Sequence, residues 1–182
     1  MFTGLRKRFG NYILRRESAT LIRQRKMCTL KNSRTVGILY TLSVVLDYEQ
    51  VCDFVSSLQK EHKVVHALGF VQDKDLIYRF LPKLSYDFFS PQDLKWYFKP
   101  VGEKVSDFTK KEFDLLIDLS IEEYLPLKFI AGLSLAHCKV GKFHAEDARF
   151  YDLMISVPPG MSLKEFISQV LHYLTIIQTK DA

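Results

Sequence analysis

From Thr35 onward, apolar runs of strand length alternate with stretches of helical periodicity, and that order leaves few folds open. Thr35–Leu42 is apolar at consecutive positions, as in a strand covered on both faces. Asp47 follows as an N-cap with Gln50 three residues on, and Val51, Phe54, Val55 and Leu58 mark the inner face of a helix over 47–61. Lys63–Val71 returns as a second strand, and such a β-α-β unit implies parallel pairing with a right-handed crossover. A third extended piece is expected over Leu76–Leu81. Ser90-Pro91-Gln92-Asp93 reads as the start of a short helix reaching about Phe98. The second half repeats the pattern: a strand over Phe113–Ser120, a helix over Leu125–Ala136, and strands over His137–Phe143 and Arg149–Val157. Ser162 and Glu165 form a capping box for a last helix to about Gln178. The expected fold is α/β: an open, mostly parallel Rossmann-like sheet with helices on both faces.

Charge divides the same chain differently. Residues 1–35 hold ten Lys/Arg against one acid, Glu17, a balance of +9. The remainder holds sixteen Lys/Arg against twenty acids, a balance of −4, and seven of the nine arginines lie in the first part. Phe2, Leu5, Phe9, Tyr12 and Ile13 recur at helical spacing, which predicts a helix from Phe2 to about Lys26, amphipathic first and basic later. Residues 1–34 are therefore expected as a long basic helical arm and 35–182 as a single α/β domain, separable enough to stay folded when the arm is removed.

Several chemistries lack the residues they need. Three widely spaced cysteines, Cys28, Cys52 and Cys138, with no CxxC pair, predict reduced structural thiols rather than disulfides or zinc. No apolar run approaches the roughly 20 residues of a membrane span, and no signal-peptide pattern is visible, so the expected place is the cytoplasm. After the first strand the chain reads TLSVVLDYEQ, with no glycine to let backbone amides approach a pyrophosphate. The five histidines show no HExxH or comparable spacing. No cofactor, metal or catalytic residue is expected. Asp47, Asp73, Asp118 and Ser120 fall near the carboxyl ends of strands, the edge where open α/β sheets take ligands, and form a possible ligand edge.

The stretch FDLLIDLSIEEYLPLKFIAGLSLAHCKVGKF, with FYDLMISV after it and FFSPQDLKWYFKP before it, resembles an uncharacterised family of small Bacteroidota proteins. The resemblance implies an α/β domain of unknown function. Phe113–Gly141 is also similar to the N-terminal half of heptosyltransferase-type glycosyltransferases, where a D-L-x-I-D-L strand precedes a helix and an R-x-G strand. Those enzymes hold their sugar nucleotide mainly on a second Rossmann-like domain, for which 182 residues leave no room.

The cations Arg6, Lys7, Arg8, Arg15, Arg16, Arg23, Arg25 and Lys26 carry the functional expectation. So many like charges need an anionic partner, and arginine's planar fork suits phosphate. The expected role is a non-catalytic adaptor binding structured RNA or the ribosome. The alternatives are an anionic membrane surface, a protein with an acidic groove, and a degenerate glycosyltransferase-like enzyme.

Overall fold

The computed structural model describes residues 2–27, 29–42, 45–72 and 85–177. Six strands form one open sheet: β1 (Thr35–Leu42), β2 (Val64–Val71), β3 (Tyr86–Phe89), β4 (Leu115–Asp118), β5 (Cys138–Lys142) and β6 (Leu153–Ile155). Their order is β3-β2-β1-β4-β5-β6, and every neighbouring pair is parallel. Among the described residues five helices accompany them: α1 (Phe2–Ala19), α2 (Val45–Lys60), α3 (Glu103–Lys110), α4 (Leu125–Leu133) and α5 (Leu163–Ile176).

The consecutive apolar residues of β1 are explained by its place at the centre. Val36, Ile38, Tyr40 and Leu42 point to a layer made by α2 and α5, against Val51, Phe54, Val55, Phe166 and Val170. Leu39 points the other way, into a layer with Phe108 of α3, Ile130 of α4 and Leu14 of α1. Both layers exclude water, so the alternation that signals a half-exposed strand is missing. Ser162 Oγ accepts from the Glu165 backbone while the Glu165 carboxylate takes the Ser162 N–H, so α5 starts at its expected capping box.

Several elements depart from expectation. Ser90, Pro91 and Asp93 do cap a turn, but it is a single 3-10 turn over Pro91–Asp93. The chain then extends at Leu94, which bridges to Pro100, while Phe98 takes a positive φ of 68°. Strand β3 and helix α3 escaped the sequence patterns. The piece expected over 76–81 lies outside the described residues, as do Asp73 and Cys28. Asp47 sits in the first turn of α2, which begins two residues earlier than expected.

Helix α1 ends at Ala19, well short of Lys26. Ser18 and Thr20 hydroxyls bond back to the carbonyls of Arg15 and Glu17, and the Thr20 and Leu21 amides close tight turns onto Glu17 and Ser18. The face it buries also differs. Among the described positions of α1, Gly10 and Leu14 are the buried ones, whereas Leu5 is 66% and Tyr12 60% exposed. A Cβ on Gly10 would stand 2.4 Å from the Tyr97 carbonyl oxygen, so glycine lets the helix backbone rest directly on the loop after β3. Leu14 reaches Gly132 of α4 in the same manner. Close backbone approach sets the centre of this interface; of the apolar stripe, Ile13 packs against the core and Phe9 meets Trp96 and Tyr97, while Leu5 and Tyr12 face away.

Candidate functional site

At the carboxyl edge, β1 and β4 are neighbours whose following connections lead to opposite faces of the sheet, the position where this topology forms a crevice. Asp118 ends β4 there, buried. Its carboxylate accepts the Ser120 N–H at 3.0 Å and the Tyr151 hydroxyl at 2.6 Å. Burial raises the Asp118 pKa from its ordinary value, outweighing the hydrogen bonds that favour the ionised form. Beside it lies a cavity of about 280 Å3 that Lys128, Lys142, His144 and Asp147 also line. Asp47 borders an adjoining cleft across the 121–124 loop, so the structure brings Asp118 and Ser120 together and sets Asp47 apart.

The acids nearest one another at this edge are met by a cation of the same chain. Glu123, His144 and Asp147 place ligand atoms within 4.8 Å of one another, a spacing that would suit a cation. Lys128 Nζ contacts Glu123 and sits 2.6 Å from Asp147, so an ammonium already supplies positive charge to both acids. Lys142 Nζ donates to the Ile121 carbonyl at 2.8 Å.

The N-terminal cations fall into three groups. Arg23 is turned inward, its side chain 5% exposed, with two bonds to Asp152 at 2.7 and 2.8 Å and two to the carbonyls of Ala136 and His137. Arg6 donates to the Trp96 carbonyl and lies over the Phe98 ring, and the Lys26 amide bonds the His137 carbonyl. These contacts fasten the segment to the body, which is what the sequence could not show: Asp152 lies 129 residues from Arg23.

Lys7, Arg8 and Arg16 are exposed and form no ion pair among the described residues. Arg8 and Arg16 share the outward face of α1 with Leu5 and Tyr12, and Phe9 stacks on the half-exposed Trp96 with centroids 4.9 Å apart. Trp96 was not expected in a site; its contribution depends on a loop that meets the helix only in the folded chain.

Between these groups stand Arg15 and Arg25, which border a cavity of about 480 Å3 at the junction of α1, the segment after it, α4 and β5. Arg149 and the buried Lys139 border it too. Neither stood out in the sequence, since a lone lysine in a strand and a lone arginine after it carry no spacing signal. Arg15 is 3.4 Å from Glu146, a largely exposed pair, and Arg25 is 3.9 Å from Asp152.

No curated protein matches the chain. The model of a family of unknown function (DUF6913) does match it, over residues 6–177, and with nearly the whole fold covered the protein belongs to that family.

Proposed function

We propose that this protein is a non-catalytic adaptor that binds structured RNA, ribosomal RNA included, through the outward face of α1. One observation carries the reading: Arg8 and Arg16 are exposed on that face without a carboxylate of their own chain, beside an exposed aromatic set of Tyr12, Phe9 and Trp96, and the exposed Lys7 flanks them on the adjoining side of the helix. Guanidinium groups fork onto phosphate oxygens, and aromatic faces stack on the unpaired bases of loops and bulges. Among the N-terminal cations Arg23 is excluded, because its hydrogen bonds to Asp152, Ala136 and His137 occupy the guanidinium. At the carboxyl edge opposite charges face one another, so that edge supports a polyanion poorly.

The same face favours one second reading. Leu5, Phe9, Tyr12 and Trp96 flanked by arginine also suit the headgroup layer of an anionic membrane. Among the described residues no helix is long and apolar enough to cross a bilayer.

Binding of a structured RNA, followed by fluorescence anisotropy across a salt series, tests the proposal. The variant Lys7→Ala/Arg8→Ala/Arg16→Ala is expected to bind more weakly, its log–log salt slope shallower by about 0.7–0.9 for each phosphate it no longer neutralises. Equal affinity and slope for variant and wild type would refute it. Flotation with anionic vesicles by a protein that ignores RNA would favour the membrane instead.

A further inference from the structure

The junction cavity brings cations from separate parts of the chain to one place. Arg15 comes from α1, Arg23 and Arg25 from the segment after it, Lys139 from β5, and Arg149 from the loop before β6. Two acids stand near them. Asp152 is engaged by Arg23 through both oxygens and lies 3.9 Å from Arg25, which also donates weakly to the Arg149 carbonyl, and Glu146 is an exposed partner of Arg15. Four guanidinium groups and the Lys139 amine stand against two carboxylates; water screens the exposed Arg15, Arg25 and Arg149, and the excess of positive charge is felt most at the buried lysine.

Lys139 registers that field. Its side chain is 1% exposed and its ammonium donates to the Ala131 carbonyl at 2.7 Å. Burial and the charge of Arg23 push it down to about 7, Asp152 acts in the opposite direction, and Arg25 adds to the depression. An anion in the cavity would relieve this arrangement directly, since it adds the negative charge the walls lack.

Size and lining narrow the anion. A volume of about 480 Å3 falls within the range of small-molecule sites, roughly 300–1,000 Å3, and is larger than a bare phosphate needs. Leu21 and Ile22 provide an apolar side on which a sugar or base can rest. We propose that this cavity binds the phosphate of a nucleotide, its oxygens held by the forks of Arg15, Arg25 and Arg149 above Lys139. The choice of a nucleotide rests on the RNA reading and deepens it: the cavity would take one phosphate of the chain, or a free nucleotide of the same chemistry.

The test uses the full chain and the variant Arg25→Ala/Arg149→Ala, with thermal unfolding read in the presence of 5′-AMP or adenosine, and anisotropy with structured RNA. Both arginines are exposed, so without ligand the variant should melt with the wild type. The expected result is that AMP raises the melting temperature of the wild type only, adenosine raises neither, and the variant loses about tenfold in RNA affinity per arginine. AMP stabilisation that depends on the arginines, without RNA binding, leaves the phosphate site standing with a free nucleotide as its source and removes the RNA reading. RNA bound equally by both proteins, with no effect of AMP, overturns the cavity inference and leaves the α1 face intact. Binding of neither probe overturns both.

Discussion

Lys139 and Asp118 are ionisable groups folded into the interior, and the sheet treats them differently. Asp118 keeps two hydrogen-bond donors, Ser120 N–H and Tyr151 OH, whereas the Lys139 ammonium has one acceptor and positive neighbours. The consequence for stability follows from proton binding. Below about pH 7 the Lys139 ammonium is charged whether the chain is folded or not, so its burial is fully unfavourable. Between about 7 and 10.5 the unfolded chain holds a proton that the folded chain does not, so this site makes stability rise with pH. Above 10.5 the site is neutral in both states. Methionine of similar length has no proton to lose. The Lys139→Met variant should therefore gain most over wild type in mild acid, with the gap closing by an amount on the order of 5 kcal/mol across the window. Loss of the Ala131 hydrogen bond shifts both ends of that comparison by about 1 kcal/mol without tilting it. Urea unfolding of the two proteins at matched pH reads the gap, and parallel curves would show that Lys139 does not titrate there.

Among the elements, glycine decides where α1 lies. Gly10 and Gly4 sit in the same helix, yet a Cβ at Gly10 would meet a backbone oxygen at 2.4 Å while one at Gly4 meets nothing within 4 Å. Alanine favours a helix over glycine by about 0.8–1.0 kcal/mol, so Gly4→Ala should stabilise by roughly that amount. Gly10→Ala carries the same propensity gain but forces the helix off Tyr97, an overpacking cost of about 1–3 kcal/mol, and should come out destabilising. Denaturant midpoints for the two variants should move in opposite directions. This contrast also marks what the sequence could disclose. Strands β1, β2, β4 and β5 and helices α2, α4 and α5 announce themselves because their burial is carried by runs of apolar side chains or by a local cap. Strand β3 has four residues, YDFF, with an acid among the aromatics, and α3 buries two side chains, Val105 and Phe108, too few to set a period. For α1 the period was visible but misplaced the centre of the buried face by part of a turn, because the closest contact is made through Gly10, a residue without a side chain. The same limit applies at the sites. Asp118 and Ser120 could be placed at the sheet edge from strand length alone, whereas Tyr151, Lys139 and Arg149 join their sites through tertiary contacts that no spacing encodes.

For the molecule as a whole, the +9 and −4 portions look separable along the chain and are interlocked in space. Leu14 is 1% exposed within the core layer that also contains Phe129 and Ile130. Arg23 completes a buried ion pair with Asp152, and Lys63 donates to the carbonyls of Leu30 and Ser33. Emptying the Leu14 position alone should cost about 2–5 kcal/mol. Leaving Asp152 without its arginine should cost a further 3–5 kcal/mol or so, as expected when one member of a buried pair is removed. Together these approach the total stability of an ordinary domain, about 5–15 kcal/mol. Deleting residues 1–34 is therefore expected to unfold the body or drive it to aggregate, rather than to leave it intact without its ligand. Such a deletion cannot separate binding from folding, whereas exchanging exposed cations can: Arg8 and Arg16 touch no carboxylate among the described residues, and their replacement should leave the melting temperature unchanged. Circular dichroism of the truncated chain decides the point. A cooperative melt close to that of the full-length protein would mean that α1 rests on the body without supporting it, and the shared core drawn through Leu14 would have to be given up.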